Sequence, residues 1–262
     1  MQIRRLTGAL GASVSNIDLN STIGDNELGE LRHAFLDNCV LVFRGQALGP
    51  EAQLAFARRW GEPAITPMLT YLDGHPGILA LANQGKAHAV TENWHYDSTF
   101  MAAPPSITIL CAQTIPVGGD TMWSNQYRAY DRLSDGLKAL LQGVRGRFSG
   151  VRIHRATGGK GEPPSAFHPI VRTHPETGRM ALYVGHPDTL PHLENMTIEE
   201  SRPLLDYLYA TSVSPDNLYR HTWKGGDVVM WDNRCTMHYA VHDYGDAPRV
   251  LNRVTLSGTE PY

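Results

Sequence analysis

The sequence predicts a mainly β protein with flanking helices, a sandwich or jelly roll dressed by a few helical segments. Two observations carry this. From about residue 76 onward, short apolar runs follow one another, separated by clusters of turn-forming residues. Helical periodicity is confined to a few stretches, most clearly in the first third of the chain. The 262 residues suit one large domain or two small ones; all-β folds often reach this length as one, and a single domain over 1–262 is the expectation.

Residues 26–38 place Leu28, Leu31, Phe35 and Leu36 at helical spacing, with Asp25 as the expected N-cap. The apolar run 39–43 reads as a buried strand. A second helix over 50–60 opens on Pro50, a good first helical residue, and stops at Gly61. Strands are expected at 76–82, 106–113, 146–153, 169–174, 180–185, 217–223, 227–231, 236–241 and 249–257. The segment 173–178 carries Pro175 and Gly178 and reads as a hairpin turn. Helices interrupt the strands at 124–142 and from Thr197 to about Ala210, where Glu200 completes a capping box with Thr197. The Gly- and Pro-rich stretch within 155–166 reads either as a lid or as an inert surface loop.

Composition narrows the function. Lys and Arg number 23 against 26 Asp and Glu, and no basic block occurs, which argues against nucleic-acid or membrane-surface binding driven by charge. No apolar run approaches the roughly 20 residues of a bilayer span, and the stretch after Arg4-Arg5 is a poor signal-peptide core. Three widely spaced cysteines make a disulfide framework or a cysteine zinc site an unattractive reading, so a cytoplasmic location is the expectation. Twelve histidines leave imidazole as the soft ligand for a metal.

His-x-Asp on an extended segment projects both side chains to one side and supplies two ligands of a two-His, one-carboxylate iron site. Two frames fit, His95-Tyr96-Asp97 and His186-Pro187-Asp188, and chance alone supplies roughly one in a chain of this composition. Aromatic and β-branched neighbours favour the first, whereas Pro187 at a strand end weakens the second. The alternatives are a histidine oriented within a polar network for His95 and a strand-end turn for His186. Further on, Arg249, Leu251 and Arg253 would share one strand face, presenting two guanidiniums either to anions or, on an edge strand, to solvent.

Five motifs then appear in order: Asn-Trp-His-x-Asp-x-Thr-Phe from Asn93, Gly-Gly-Asp-Thr-x-Trp from Gly118, His-Pro-x-Val-Arg-Thr-His-Pro from His168, Trp-Asp-Asn-Arg-x-x-x-His from Trp231, and Arg-x-x-x-Arg from Arg249. Together they resemble the taurine dioxygenase family of Fe(II)- and 2-oxoglutarate-dependent oxygenases, which includes the phenoxyacetate-degrading herbicide dioxygenases. The resemblance implies a double-stranded β-helix (jelly-roll) core. It implies His95, Asp97 and His238 as iron ligands, Thr121 and Arg249 on the distal carboxylate of 2-oxoglutarate, and Arg253 facing the anionic end of the substrate. Trp231, Asp232 and Asn233 read as structural support. The implied reaction is hydroxylation of a small anionic carboxylate or sulfonate by O2, with release of succinate and CO2; where the hydroxylated carbon bears a heteroatom, that bond then breaks. Desaturation, epimerisation or oxidative decarboxylation by the same iron chemistry is the alternative, and a non-catalytic module with a structural metal is a third reading. The family also implies a homo-oligomer, dimer or tetramer.

The substrate-facing positions depart from taurine dioxygenase. Thr66 and Leu69 stand where that enzyme has a His and a Tyr, Ser98 replaces an apolar residue after Asp97, and Asp188 occupies an expected pocket position. Asn93 is retained as a candidate substrate contact. The segment from Tyr219 to Cys235 looks closer to the phenoxyacetate branch, which favours a small organic acid over taurine.

Overall fold

The computed structural model describes residues 1–65, 69–83 and 92–262. Two leading strands, β1 (Gln2–Arg5) and β2 (Ala12–Ser15), precede helix α1 (Asp25–Asn38), strand β3 (Val40–Phe43) and helix α2 (Pro50–Arg58). Then come β4 (Leu79–Asn83), β5 (Ile107–Thr114), β6 (Thr121–Asn125), α3 (Gln126–Asp131) and α4 (Asp135–Leu141). Strand β7 (Arg145–Ser149) leads into helix α5 (Val151–Ala156), followed by β8 (Ser165–Pro169), β9 (Val171–Thr173) and β10 (Met180–Leu182). Helix α6 (Ile198–Ser212) and strands β11 (Leu218–His221), β12 (Val228–Asp232), β13 (Thr236–Ala240) and β14 (Arg249–Thr255) complete the chain.

A large sheet in the order β1-β2-β3-β12-β5-β14-β4 faces a smaller one in the order β11-β6-β13. Strand β12 shows why the large sheet holds together. Val228 and Met230 point into one cluster with Leu31 and Phe35 of α1, Leu54 and Phe56 of α2, and Phe43. Val229 and Trp231 point the other way, toward Trp123 and Tyr219 of the small sheet. Burial on both faces explains the uninterrupted apolar run that marks this strand in the sequence. This two-sheet sandwich is the expected jelly roll.

Most expected elements lie within a few residues of their positions, and the Thr197–Glu200 capping box forms as read. The hairpin between β9 and β10 is present, turning through Gly178 at φ +69°. Four readings need correction. The N-cap of α1 is Gly24, and Asp25 is the first helical residue, ion-paired with Arg59. The expected helix 124–142 begins as the end of β6 and then splits, because Ser134 caps a new helix. The expected strand 146–153 ends at Ser149, and α5 follows Gly150. Strands β1, β2, β6 and β8 were not anticipated; all four residues of β1 are solvent-exposed, so no core alternation announces that strand. Among the described residues no helix is long and apolar enough to cross a membrane.

Candidate active site

One cross-strand pair assembles the metal-ligating face. His238 is the third residue of β13, and His95 lies opposite it in an isolated antiparallel bridge. The His95 N–H donates to the His238 carbonyl at 3.0 Å and the His238 N–H to the His95 carbonyl at 2.9 Å. Residues so paired project to the same side of a sheet, which sets the two imidazoles 4.1 Å apart between centroids. Asp97, two residues beyond His95, brings its carboxylate to the same place, and the ligand atoms of the three lie within 4.8 Å of one another.

The donor set fits a divalent metal. His95 Nδ1 bonds to the Asn93 carbonyl at 2.7 Å, while its Nε2 is buried without a hydrogen-bond partner. His238 Nδ1 is likewise buried and unpartnered, and its Nε2 stands 3.9 Å from Asp97 Oδ1. Two imidazoles and a carboxylate on one face, with open positions opposite, form the facial triad of non-haem Fe(II) oxygenases. Burial pushes both histidines below the ordinary imidazole value, so each is neutral and able to ligate. Burial alone would raise Asp97, but Arg253, His238, His95 and the Thr108 hydrogen bond outweigh it and hold the carboxyl ionised.

A chain of hydrogen bonds aims the carboxylate. The Thr108 hydroxyl donates to Asp97 Oδ2 at 2.7 Å, Asn233 Nδ2 donates to that hydroxyl oxygen at 2.8 Å, and Trp231 Nε1 donates to Asn233 Oδ1 at 2.9 Å. Trp231 also packs its ring 4.7 Å from that of His238. Behind it, both Asp232 oxygens are taken: Arg234 Nε donates to Oδ1 at 2.8 Å, while Arg234 Nη2 and His174 Nε2 reach Oδ2 at 2.7 and 3.0 Å. That full coordination by protein donors makes the nearby His174, Asp232 and Cys235 grouping a structural network, despite its metal-like spacing. Thr108 escaped the sequence reading because a threonine inside a strand looks like any other β-former.

A cavity of about 530 Å³ opens on the triad. Arg249, Leu251 and Arg253 all line it, as the shared strand face required, despite a register shift between Val250 and Leu251 where β14 pairs with β5. Arg253 Nη1 donates to Asp97 Oδ1 at 3.1 Å. Arg249 is buried, its Nε donates to the Gly119 carbonyl at 3.0 Å, and no carboxylate pairs with it among the described residues. Tyr244, whose ring lies 5.8 Å from the guanidinium, and Asp120 support this charge without an ion pair, but burial outweighs them, so an anion in the cavity would stabilise it. Gly118 and Gly119, at φ +87° and +71°, make the close approach possible; a Cβ on Gly119 would stand 2.9 Å from Arg249 Cδ. The same turn delivers Thr121, which lines the cavity and whose hydroxyl accepts from Trp223 Nε1 at 2.9 Å.

Of the remaining candidates, Leu69, Asn93 and Ser98 line the cavity. Thr66 lies outside the described residues. Asp188 does not line it; its carboxylate accepts from Arg152 Nη2 at 2.8 Å, and Arg152 reaches the cavity wall in its place. The frame His186-Pro187-Asp188 therefore belongs to an ion pair beside the pocket.

A jelly roll presenting a two-His, one-Asp face, with an unpaired buried arginine alongside, defines the class of Fe(II)- and 2-oxoglutarate-dependent dioxygenases. The chain belongs to the taurine catabolism dioxygenase TauD, TfdA family, whose sequence pattern matches residues 2–255. It is 37% identical to an alkylsulfatase of Acinetobacter baylyi, over 98% of this chain and 85% of that protein. It is 31% identical to an alpha-ketoglutarate-dependent sulfate ester dioxygenase of Pseudomonas putida, over 100% and 91%. It is also 32% identical to a 2,4-dichlorophenoxyacetate dioxygenase of Cupriavidus pinatubonensis, over 93% of each. Among solved structures, a taurine dioxygenase from Burkholderia xenovorans superposes with a TM-score of 0.88 at 35% identity, covering 99% of this chain and 92% of that one. AAD-2, solved in complex with Mn(II) and N-oxalylglycine, gives 0.86 at 30%, covering 99% and 98%. Fe(II) and 2-oxoglutarate are thus this chain's cofactor and co-substrate.

Proposed function

We propose that residues 1–262 form one dioxygenase domain that hydroxylates a small organic sulfate ester at the carbon bearing the ester oxygen. His95, Asp97 and His238 would hold Fe(II), and Arg249 with Thr121 would take the distal carboxylate of 2-oxoglutarate. Bound together there, iron and 2-oxoglutarate supply O2 activation, with release of succinate and CO2. The residues do the rest. The Asn93 carbonyl fixes the His95 ring, Thr108 aims Asp97, and Arg253 offers the substrate's anionic head a donor beside the metal face. Leu69, Leu79, Leu81 and Ile153 give the alkyl part a dry wall. The hydroxylated carbon then carries both a hydroxyl and the sulfate; loss of the hydroxyl proton and cleavage of the C–O bond yield an aldehyde and free sulfate.

The observation that carries the dioxygenase reading is Arg249, a buried, unpaired cation beside the triad. The sulfate ester is supported by the alkylsulfatase and sulfate ester dioxygenase relatives together with Arg253 on the cavity wall. The test is turnover with Fe(II), 2-oxoglutarate and a panel of alkyl sulfates, alkanesulfonates and phenoxyacetates. Sulfate, aldehyde and succinate should form in equal amounts from the alkyl sulfates. Succinate release driven by carboxylates, with none driven by sulfate esters, would move the substrate class to organic acids.

The reading also carries a cytoplasmic location, supported by three buried cysteines without a disulfide, and a dimer or tetramer, which light scattering of the purified protein would establish.

A further inference from the structure

Arg152 has no place in the motif pattern, and its setting is unusual. It sits on α5, whose residues Arg152, Ile153 and Ala156 line the cavity although that stretch alternates like a strand in the sequence. The preceding Gly150 presses on Phe100 of the cavity wall so closely that a Cβ there would stand 2.8 Å from the ring. One edge of the Arg152 guanidinium is half used. Nη2 donates to Asp188 Oδ2 at 2.8 Å and lies 3.4 Å from His186 Nδ1, whereas Nε is buried with no hydrogen-bond partner. Asp188, its side chain 58% exposed, holds the guanidinium from outside the cavity. Arg152 and Arg253 line the same cavity as the three metal-ligating residues.

We infer that Arg152 is a second anion-binding arginine that makes the pocket select a sulfate ester over a carboxylate, an inference that rests on the dioxygenase reading of this site. A carboxylate offers two coplanar oxygens, which a single guanidinium satisfies in a fork. A sulfate ester offers three terminal oxygens in a pyramid, and the third must find a donor from another direction. Arg253 approaches from β14 and Arg152 from α5, and both line the cavity. Asp188 orients this donor without touching the substrate.

The experiment compares an alkyl sulfate with the alkyl carboxylate of matching length, using the Fe(II)-loaded enzyme with 2-oxoglutarate. Arg152→Gln should lower the sulfate-to-carboxylate ratio of kcat/KM by about 10- to 100-fold, the worth of one charge-assisted hydrogen bond, chiefly through the KM of the sulfate. Arg152→Lys, which keeps the charge and loses the fork, should fall between wild type and Arg152→Gln. Asp188→Asn, which keeps an oxygen to accept from Arg152 Nη2, should keep the ratio within about threefold of wild type. A ratio unchanged in Arg152→Gln, or Asp188→Asn reproducing its loss, overturns the inference; the second result would make the pair a latch on α5. A wild type that forms the visible Fe(II)–2-oxoglutarate band anaerobically yet releases no sulfate overturns it too, with the dioxygenase reading intact. Failure of that band in folded, metal-loaded protein removes the dioxygenase reading itself.

Discussion

Replacing Thr108 by Val keeps the β-branched shape of a fully buried strand residue and deletes only its hydroxyl. Two hydrogen bonds go with it, the 2.7 Å bond to Asp97 Oδ2 and the 2.8 Å bond from Asn233 Nδ2. The first involves a charged acceptor, for which a loss of about 1.5–3 kcal/mol is usual, and the second strands a buried amide donor at about 1–3 kcal/mol. Metal-free Thr108→Val should therefore unfold in urea with a stability lower by about 2.5–6 kcal/mol. Asp97, no longer aimed, should bind Fe(II) about 10- to 100-fold more weakly, measured anaerobically against a competing chelator. Thr108→Ser retains the hydroxyl and should recover most of the affinity. Metal affinity within threefold of wild type in Thr108→Val, or no recovery in Thr108→Ser, would refute the claim that this hydroxyl orients the carboxylate.

Gly119→Ala forces a Cβ to within 2.9 Å of Arg249 at a residue with φ +71°. The KM for 2-oxoglutarate should rise at least about tenfold with a smaller effect on substrate KM, as initial rates of succinate release would show. Arg234→Met leaves the fully buried Asp232 carboxylate without its main counter-charge and should cost about 3–5 kcal/mol, read as a lower midpoint in urea. The pH dependence of the metal-free protein follows from His95 and His238, both held below the ordinary value of about 6.5 by burial. Below that pH the unfolded chain takes protons that the folded protein refuses, so stability should fall as pH drops from about 7 toward 5. A Tm independent of pH across that window, or rising as pH falls, would contradict this sign.

Part of the site was legible from strand parity: Arg249 and Arg253, four apart on a strand, share a face. His95 and Asp97 were expected to do the same on a strand, but His95 lies in an isolated bridge and Asp97 in the turn that follows, which brings the two side chains together. The pairing of His95 with His238 was not readable from spacing, since it depends on a bridge between segments 143 residues apart in the chain; motif order supplied it. Thr108 and Arg152 were missed for different reasons. Thr108 acts through a hydroxyl that sequence periodicity does not register. Arg152 was hidden by an alternation resembling a strand, which Gly150 breaks, turning the next residues into a short helix along the cavity. Strand β6 was not anticipated, and the helix expected at 124–142 took in its last two residues, Ser124 and Asn125, the second of which caps α3.

The central claim is that His95, Asp97 and His238 hold Fe(II) beside an arginine that holds 2-oxoglutarate. Anaerobic titration of the metal-free protein with Fe(II) in saturating 2-oxoglutarate tests it most directly. The account predicts a weak visible charge-transfer band that saturates at a single equivalent of Fe(II) per chain and is absent from His238→Ala. A folded, metal-loaded protein without that band, or an undiminished band in His238→Ala, would contradict it.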